Sequence, residues 1–316
     1  MAFTVGILGA GISGLSCAQA LRTKGVDVTV LEKSKSLGGR CATRCWNGHV
    51  VDHGAQFLTL RNDRFKVEME TLLGSDLKSL RAPVVNFKGE TLASSEGDGR
   101  FYHVGGNNRV GQQLAQGLQL RQEVLVEHIR SDHNKIWAAD FGFDSLVISL
   151  PIPQTAQLLG WKASPVRYAP CLTLLFEYEG EWAGNSPDRY ALSDLSGSEN
   201  LAWSACENHK VGRIKEGSTV FVAQASEAFS QQHIEDDLEN YIPLLRADLE
   251  KQWKLSGVKL KETFLHRWLY ARPVEGGIFP ELPRGIYLCG DGVSKGRIEE
   301  VWLSGVAAAE KILKEI

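Results

Sequence analysis

The apolar positions near the amino-terminal end follow a strand–helix–strand pattern. Residues 4–8 are a short apolar run typical of a buried strand, and residues 28–31 are a second one. Between them, residues 15–24 repeat apolar side chains at helical spacing. Because two short apolar strands joined by one helix form the usual parallel unit, residues 3–32 are predicted to begin an α/β sheet.

The same two periodicities organise the rest of the chain. Strands are predicted around residues 124–129, 135–138, 145–150, 172–179, 219–225 and 285–289, and helices over residues 234–253 and 299–316. Pro151 and Pro153 end the strand at 145–150 because proline cannot donate to a sheet ladder. Leu238, Leu245 and Leu249 lie at helical spacing in the longer helix, and Pro243 should bend it.

Composition and charge exclude several classes of protein. The 316 residues are 43% apolar and 23% charged, which is too apolar for a disordered chain. The 35 basic and 38 acidic side chains give a net charge of -3, and no segment concentrates enough Lys and Arg to bind a run of phosphates. No window approaches about 18 uninterrupted apolar residues. We therefore expect neither a nucleic-acid partner nor a membrane span.

The six cysteines are scattered, and only Cys41 and Cys45 lie close together. A lone pair of this kind is weak evidence for zinc, so the sequence predicts no metal site and reduced thiols in a cytosolic protein. The apolar residues 3–21 have some features of a signal peptide. They lack a basic leader, however, and contain a glycine motif that gives them another role.

The motif Gly9-Ala10-Gly11-Ile12-Ser13-Gly14 lies between the first strand and the first helix. Gly9 allows a tight turn, Gly11 lets a pyrophosphate approach the backbone, and Gly14 lets the helix pack on the strand. Glu32 ends the second strand, where a carboxylate accepts hydrogen bonds from ribose hydroxyls. The motif predicts a dinucleotide site whose contacts are Gly9, Gly11, Ile12, Ser13, Gly14, Glu32 and Lys33.

A second glycine pair indicates which dinucleotide binds. Gly38-Gly39-Arg40 follows Glu32, and the segment 52–57, Asp-His-Gly-Ala-Gln-Phe, comes next. The extended pyrophosphate and ribityl chain of FAD run past such a loop, whereas a nicotinamide dehydrogenase has no need of it. Near the carboxyl end, Asp291 can bond a ribityl hydroxyl, and the last helix can face N1 and O2 of the flavin. We predict noncovalent FAD, with Gly39, Arg40, Gln56, Phe57, Gly290, Asp291, Glu299 and Val301 as further contacts.

These segments predict the domain organisation. The fold class is α/β: a Rossmann-type FAD-binding domain made of residues 1–58, 101–152 and 283–316, with an inserted α+β substrate domain made of residues 59–100 and 153–282. Val126 is the expected place for a backbone contact to adenine, although a core position explains it equally well. Gln56 either reaches the flavin or caps its loop. Since no second G-x-G-x-x-G occurs, a separate NADPH domain is not predicted.

Taken with their spacing, these motifs resemble the renalase family within the amine-oxidase-like flavoproteins. The resemblance covers most of the chain and is carried by residues 9–14 with Glu32, 38–43, 52–57, 141–153, 200–203, 210–213, 266–270, 290–291 and 296–299. The first and last segments are shared by many amine oxidases and desaturases, whereas residues 52–57 and 266–270 are more particular to renalase-like proteins. Cys41 stands where Met is common, and His209 and Val211 interrupt the usual run around Lys210, which affects substrate contacts.

The resemblance implies an FAD oxidase that acts on misreduced NAD(P), the 2- and 6-dihydro isomers. Such an enzyme returns them to NAD(P)+ and passes the electrons to dioxygen, giving hydrogen peroxide. A hydride leaving a dihydropyridine carbon gains aromaticity for the ring and needs no nucleophile or metal, and the sequence contains no Ser/His/Asp or metal-protease motif. The protein would orient a planar ring over the flavin.

His266, Trp268 and Tyr270 alternate along a predicted strand, so all three should point to one face, with Arg267 and Leu269 on the other. This would form an aromatic, hydrogen-bonding cavity wall suited to a carboxamide-bearing ring, and the three are the predicted catalytic residues. The alternative is a core strand whose polar atoms are simply satisfied. Trp203 is likewise either core or cavity wall.

Other functions fit parts of this sequence. An aromatic cavity beside a flavin would also suit a neutral amine, as in an amine or polyamine oxidase. A flavin-binding protein without turnover, such as a sensor, would need the same cofactor motifs. A carotenoid-type desaturase needs a long lipid tunnel, for which 316 residues leave little room. The sequence leaves open the isomer, NAD versus NADP, the electron acceptor and the oligomeric state.

Overall fold

The computed structural model describes residues 2–86, 88–92, 99–132, 135–181, 189–194, 197 and 199–316. The helices are α1 (Ile12–Arg22), α2 (Asp63–Leu73), α3 (Arg109–Leu114), α4 (Ile152–Leu158), α5 (Glu227–His233), α6 (Leu238–Trp253) and α7 (Ile298–Leu313). The strands are β1 (Thr4–Leu8), β2 (Asp27–Glu32), β3 (Thr43–Trp46), β4 (His49–Asp52), β5 (Leu58–Thr59), β6 (Leu77–Leu80), β7 (Val84–Asn86), β8 (Arg100–His103), β9 (Gln119–Gln122), β10 (Ile129–Asp132), β11 (Lys135–Ala138), β12 (Phe141–Phe143), β13 (Ser145–Ile148), β14 (Val166–Glu179), β15 (Ala191–Ser193), β16 (Leu201–Cys206), β17 (Ser218–Ala225), β18 (Leu260–Gly276) and β19 (Ile286–Leu288).

A five-stranded parallel sheet of order β19-β13-β1-β2-β9 confirms the predicted α/β class. Helices α1 and α7 pack against each other beside this sheet. Gly305 permits their close approach, because a Cβ there would overlap the carbonyl oxygen of Ser13 and the hydroxyl of Ser16. The strand–helix–strand unit predicted over residues 3–32 is therefore correct, with α1 beginning at Ile12.

The strand order places a crevice at the carboxyl end of β1. The chain passes from β1 to β2 on one side through α1, and β13 pairs with β1 on the other side. In open α/β sheets, ligands bind where the order of strands reverses in this way. Gly9, Glu32, Ser149 and Gly290 all lie at or just beyond the carboxyl ends of these parallel strands.

A six-stranded sheet of order β18-β14-β17-β16-β15-β7 forms the second layer. One face packs against α5 and α6 through an apolar cluster that includes Leu174, Phe176, Tyr241, Leu245 and Trp253. The opposite face meets the β3–β4 hairpin, where Trp46 and Val51 join Leu175, Val220 and Val222 in a smaller cluster. One face of the sheet therefore packs against α5 and α6, and the other face is turned toward residues 43–57.

Two predicted elements were wrong in their limits. Residues 124–128 are not a strand, and β10 begins at Ile129. The N–H of Val124 instead donates to the carbonyl of Glu32. This single bond attaches the segment to the end of β2 without making it a strand. The helix predicted over residues 234–253 begins later than expected, because α5 ends at His233, residues 234–237 form a turn, and α6 begins at Leu238. His233 and Arg267 hold the turn between them by bonding the side chain and the carbonyl of Asp236.

Helix α2 packs against α3 and α7 beside the first sheet. Phe65, Met69 and Leu73 form its buried face and belong to the same apolar cluster as α1 and α7. These three residues therefore pack with the helices of the first layer, although the sequence assigned residues 59–100 to the second domain.

All six cysteines are free thiols. Over the described part of the chain, no helix combines the length and apolar character needed to cross a bilayer.

Candidate functional site

The two glycine motifs lie against each other beyond β1. Gly9 has a φ of 98°, a conformation that favours glycine, and Gly38 donates its N–H to the carbonyl of Ala10 at 2.8 Å. A Cβ on Gly39 would lie 3.3 Å from the Cα of Gly11, and one on Gly14 would overlap the carbonyl oxygen of Gly9. The contacts explain why small residues occupy these positions, as the motif predicted.

Helix α1 presents its amino terminus to this crevice. Gly11 is its N-cap and provides no side-chain cap, so the first N–H groups of the helix, including those of Ile12 and Ser13, have no intrahelical acceptor. A Cβ on Gly11 would meet nothing within 4 Å. An open approach to uncapped N–H groups at the positive end of a helix is a site that fits a pyrophosphate.

Glu32 closes the other side of the glycine loop. Its Oε2 accepts the N–H of Ala10 at 2.7 Å, and its Oε1 accepts the N–H and hydroxyl of Ser34, both at 2.8 Å. The carboxylate is thereby fixed beside the loop, and its remaining lone pairs can accept ribose hydroxyls. Lys33 is exposed beside it. Val126 is half-buried against the apolar cluster that contains Leu8 and Leu31.

Arg40 and Asp291 form one ionic group across the crevice. The guanidinium of Arg40 donates to both carboxylate oxygens of Asp291, at 2.5 and 2.8 Å, and to the carbonyl of Tyr270 at 3.1 Å. Tyr168 donates its hydroxyl to the same carboxylate at 2.8 Å. Gly290, with a φ of 117°, places this group near Ser13 at the start of α1.

Tyr168 was missed by the sequence analysis. It lies near the start of β14 in no recognisable motif, and only the folded chain brings its hydroxyl to Asp291. Burial, and then the negative charge of Asp291, raises the pKa of Tyr168. The phenol therefore stays protonated and acts as a hydrogen-bond donor to the carboxylate.

The predicted contacts on α7 have other partners. The carboxylate of Glu299 accepts the N–H groups of Arg61 and Asn62, at 2.6 and 3.0 Å, and so anchors the loop before α2. Val301 is half-buried against the first apolar cluster. Cofactor contacts by these two residues stay predictions, and the hydrogen bonds of Glu299 to Arg61 and Asn62 are those of an anchor.

In the segment 52–57, Gln56 caps the loop. Its amide nitrogen donates to the carbonyls of Asp52, at 2.6 Å, and Gly54, at 3.1 Å, which fits the second of the two roles considered for it. Phe57 packs near Trp203, with ring centroids 6.0 Å apart. The loop is held by its own side chains, and His53 is the ring that it presents to β18.

Asp52, the first residue of the segment 52–57, has its charged partners in the protein interior. It is fully buried and forms ion pairs with Lys210, at 2.9 Å, and with Arg213, while Lys210 also pairs with Glu207 at 2.8 Å. Burial alone would raise the pKa of Asp52, but the charges of Lys210 and Arg213 outweigh it and lower the pKa to about 2. We call Asp52, Glu207, Lys210 and Arg213 the buried ionic cluster.

The alternation predicted on β18 is present, and the use of this face as a cavity wall stays a prediction. His266, Trp268 and Tyr270 are half-buried on one face, whereas Arg267 and Leu269 are exposed on the other. The rings of His266 and Trp268 are 4.0 Å apart, and His53 stacks on Trp268 at 5.6 Å with an interplanar angle of 19°. We define the aromatic wall as His53, Phe264, His266, Trp268 and Tyr270.

The two imidazoles of the wall are held neutral. Burial, and then the neighbouring His266, lower the pKa of His53 to about 4. Burial, and then the positive charge of Arg44, lower the pKa of His266. Among the described residues, the buried Nδ1 atom of His53 has no hydrogen-bond partner, which leaves it able to bond an added group. At neutral pH the wall offers uncharged rings.

The face of the wall continues across the sheet. His266 pairs with Thr173, Thr173 with Gln224, and Gln224 with Trp203, and directly paired residues share a face. Gln224 donates to the carbonyl of Gly54 at 3.2 Å, which attaches this face to the loop that carries His53. Trp203 shares this face by its pairing, packs against the apolar cluster that contains Tyr190, and has a buried Nε1 without a hydrogen-bond acceptor among the described residues.

Comparisons with known proteins agree with this architecture. Residues 7–69 match the model of the NAD(P)-binding Rossmann-like domain. Curated relatives match shorter stretches: the chain is 41% identical over 71 residues to a phytoene desaturase of Fusarium fujikuroi, a match that covers 22% of this chain and 12% of the relative. It is 40% identical over 55 residues to protoporphyrinogen oxidase 2 of Arabidopsis thaliana, or 17% of this chain and 11% of the relative.

Solved structures resemble the whole chain. Cyclohexylamine oxidase from Brevibacterium oxydans IH-35A superposes with a TM-score of 0.78 at 14% identity, covering 100% of this chain and 99% of that one. Reduced UDP-galactopyranose mutase gives a TM-score of 0.81 at 13% identity, covering 99% and 96%. At this identity the likeness shows the fold alone. The model of the flavin containing amine oxidoreductases matches residues 85–313, which is more than half of the chain, and this protein therefore belongs to that family.

Proposed function

We propose that this protein is an FAD-dependent oxidase of 2- or 6-dihydro-NAD(P), which it converts to NAD(P)+ while dioxygen becomes hydrogen peroxide. The observation that carries the proposal is the aromatic wall of neutral rings, which ends at Tyr270 beside the Arg40–Asp291 pair. Family membership supports a flavin enzyme. The resemblance to renalases supplies the substrate, and six free thiols favour a cytosolic location.

The chain has the groups that FAD requires. The uncapped start of α1 and the open approach at Gly11 suit a pyrophosphate, and Glu32 suits a ribose. Arg40 and Asp291 would lie along the ribityl chain. When bound, FAD supplies the hydride acceptor and the route by which electrons reach dioxygen. The protein's own part is to hold the substrate ring in position.

The wall suits a reaction without proton abstraction. When a dihydropyridine carbon loses hydride, its C–H bond breaks with both electrons and the ring becomes an aromatic pyridinium. The overall balance is dihydro-NAD(P), dioxygen and one proton giving NAD(P)+ and hydrogen peroxide. Neutral His53 and His266 can bond a carboxamide, and Trp268, which stacks on His53, adds an aromatic surface to the same face of β18. Orientation of this kind can contribute several kcal/mol, on the order of ten- to a hundredfold or more in rate.

An amine oxidase is the second candidate. The family description and the likeness to cyclohexylamine oxidase favour it, and aromatic side chains suit a neutral amine. Most amines are protonated at neutral pH, however, and the positive charge of Arg44 lies close enough to lower the pKa of both wall imidazoles. That charge disfavours a cationic substrate and favours a neutral or anionic one.

An anaerobic titration separates these functions. We expect 2- or 6-dihydro-NAD(P) to bleach the flavin much faster than ordinary 4-dihydro-NADH or an aliphatic amine does, and admission of air to restore the colour with formation of hydrogen peroxide. Preferential bleaching by an amine would establish the second candidate. If none of these compounds bleached the flavin, a binding protein without turnover would be the better description.

The mode of cofactor binding has its own test. We expect acid precipitation to release FAD into the supernatant, and flavin left in the pellet would show a covalent bond. Glu32→Lys should lose most of the FAD because a cation without acceptors replaces a carboxylate fixed at Ala10. Asp27→Lys, at the exposed start of the same strand, is the matched charge reversal and should retain flavin.

A further inference from the structure

Arg44 is an exposed cation at the outer end of the aromatic wall. It lies on β3 opposite Val51 of β4, and its guanidinium carbon sits 3.9 Å from the centre of the Phe264 ring. Stacking on an aromatic face holds the planar guanidinium in place while leaving its N–H groups free to donate. The hairpin and the ring thus give Arg44 a defined position rather than a freely moving one.

The position of Arg44 follows from the order of residues along β18. Tyr270 marks the cofactor end, where Arg40 bonds its carbonyl, and Phe264 marks the opposite end. Side chains two apart on one face of a strand are separated by roughly 7 Å. Phe264, on whose ring Arg44 stacks, is therefore about one such step beyond His266. A ribose separates a nicotinamide ring from the nearest phosphate by a comparable length.

The charges around Arg44 leave it available to an anion. His53 and His266 are neutral for the reasons given above. Glu262 lies on the same face of β18 next beyond Phe264, but its carboxylate accepts the amide of Asn47 at 2.6 Å. Glu177 is buried and bonds Ser218, Lys261 and Asn47. Within the described ranges, no acid forms an ion pair with Arg44, whose recorded contact is the Phe264 ring.

We infer that Arg44 is a subsite for the diphosphate of the dinucleotide substrate and that it makes the enzyme prefer dinucleotides over ribosides. This inference rests on the proposed function. It names a residue outside the aromatic wall that selects for dinucleotide substrates. The guanidinium can bond a phosphate with two parallel N–H groups. Because Arg44 is exposed, the attraction is modest and is screened by salt.

The test compares two substrates that share one reacting ring. For the holoenzyme with Arg44→Gln at low ionic strength, we expect the KM for the dihydro-NAD isomer to rise about three- to tenfold. The KM for the matching dihydronicotinamide riboside, which has no phosphate, should not change. The kcat of both should stay near wild type. Binding of the product NAD+, followed by the flavin absorbance shift, should weaken by the same factor, and added salt should remove the difference.

Arg267→Gln is the control, because it removes a positive charge from the opposite face of β18, where Arg267 bonds the carbonyl of Asp236. Arg44→Lys keeps the charge and should recover part of the affinity. Equal effects of Arg44→Gln on the dinucleotide and the riboside, or no effect on either, would overturn the subsite and leave the proposed function standing. Failure of both compounds to reduce the wild-type flavin would overturn the two proposals together.

Discussion

Tyr168 shows how much one side chain outside every motif can contribute to the site. Its hydroxyl bonds the same carboxylate that Arg40 holds, and Asp291 is the predicted ribityl contact. With the phenol and the guanidinium on either side, the carboxylate has little freedom to turn. Tyr168 is therefore a positioning residue for Asp291.

Replacing this hydroxyl tests that role. Tyr168→Phe should weaken the binding of FAD to the apoprotein by about three- to tenfold, because Tyr168 acts only through Asp291 and only part of the roughly 1.5–3 kcal/mol of a hydrogen bond to a charged group reaches the cofactor. The measurement is a fluorescence titration with FAD. Tyr178→Phe is the matched control on the same strand, because its hydroxyl donates to Glu250 at 3.2 Å. The control should lose stability without loss of FAD affinity, and an equal loss of affinity in both variants would contradict the role.

His53 should make stability depend on pH. Its pKa falls from the ordinary 6.5 to about 4 on folding, so between these values the unfolded chain binds more protons than the folded one. Stability therefore rises with pH across this interval and is lost as pH falls from about 6.5 toward 4, with a slope of at most about 1.4 kcal/mol per pH unit.

The variant His53→Gln should flatten that slope. The measurement is the free energy of unfolding in urea at several pH values between about 4.5 and 7. His128→Gln, at an exposed position, is the control and should keep the wild-type slope. An unchanged slope in the His53 variant would mean that His53 does not control stability in this interval.

The two faces of strand β18 have different surroundings. One face carries the aromatic wall, and the other carries Arg267 and Leu269 in solvent. Trp268 also donates its Nε1–H to the carbonyl of His53 at 3.1 Å, which links the strand to the loop 52–57. Substitutions along this strand should therefore separate positioning from folding.

His266→Asn should slow flavin reduction by the proposed substrate about tenfold to a hundredfold and leave the Tm nearly unchanged, because a half-buried ring that orients substrate is lost. Trp268→Leu should both slow reduction and lower the Tm, since it also loses the bond to His53 and leaves a cavity. Rates and Tm are measured side by side, with Arg267→Gln as the control. A His266 variant with a lowered Tm but a normal rate of flavin reduction would show that His266 has a purely structural role.

The buried ionic cluster joins the β3–β4 hairpin to the segment that follows β16. Asp52 belongs to the hairpin, whereas Glu207, Lys210 and Arg213 follow β16 of the second sheet, and none is more than 1% exposed. Two acids and two bases balance the charge. The hydroxyl of Thr43 and the N–H of Asn107 donate to the second oxygen of Asp52, at 2.6 and 2.9 Å, so both carboxylate oxygens have donors.

Breaking this cluster should destabilise the protein as a unit. Asp52→Asn leaves two buried cations with one acid and should cost about 3–5 kcal/mol in the free energy of unfolding. The double variant Asp52→Asn with Lys210→Met removes one charge of each sign and should cost less than the sum of the single changes. Glu310→Gln, which breaks the exposed pair with Arg64, is the control and should change stability little. Additive losses in the double variant would contradict a coupled cluster.

Local sequence was enough for the parts of this protein that depend on neighbouring residues. The glycine motif with Glu32 and the alternation of residues 266–270 come from spacing along one strand or one turn, where backbone geometry decides which side chains share a face. The α/β class and most strands followed for the same reason. The limits of the elements at 124–129 and 234–253 were wrong because contacts with Glu32 and Arg267 decide them.

Tertiary structure alone decided which distant residues meet. Tyr168 reaches Asp291 across 123 positions and Lys210 reaches Asp52 across 158, and nothing in the spacing of either residue indicates its partner. An aspartate beside a glycine loop can contact a cofactor. Asp52 instead pairs with Lys210 and Arg213, which follow β16, and belongs to the buried ionic cluster. Arg44 and His53 likewise gain their place only when the hairpin and the loop fold against β18. A sequence pattern records the periodicity of one segment, whereas burial and charge pairing depend on which segments the fold packs together.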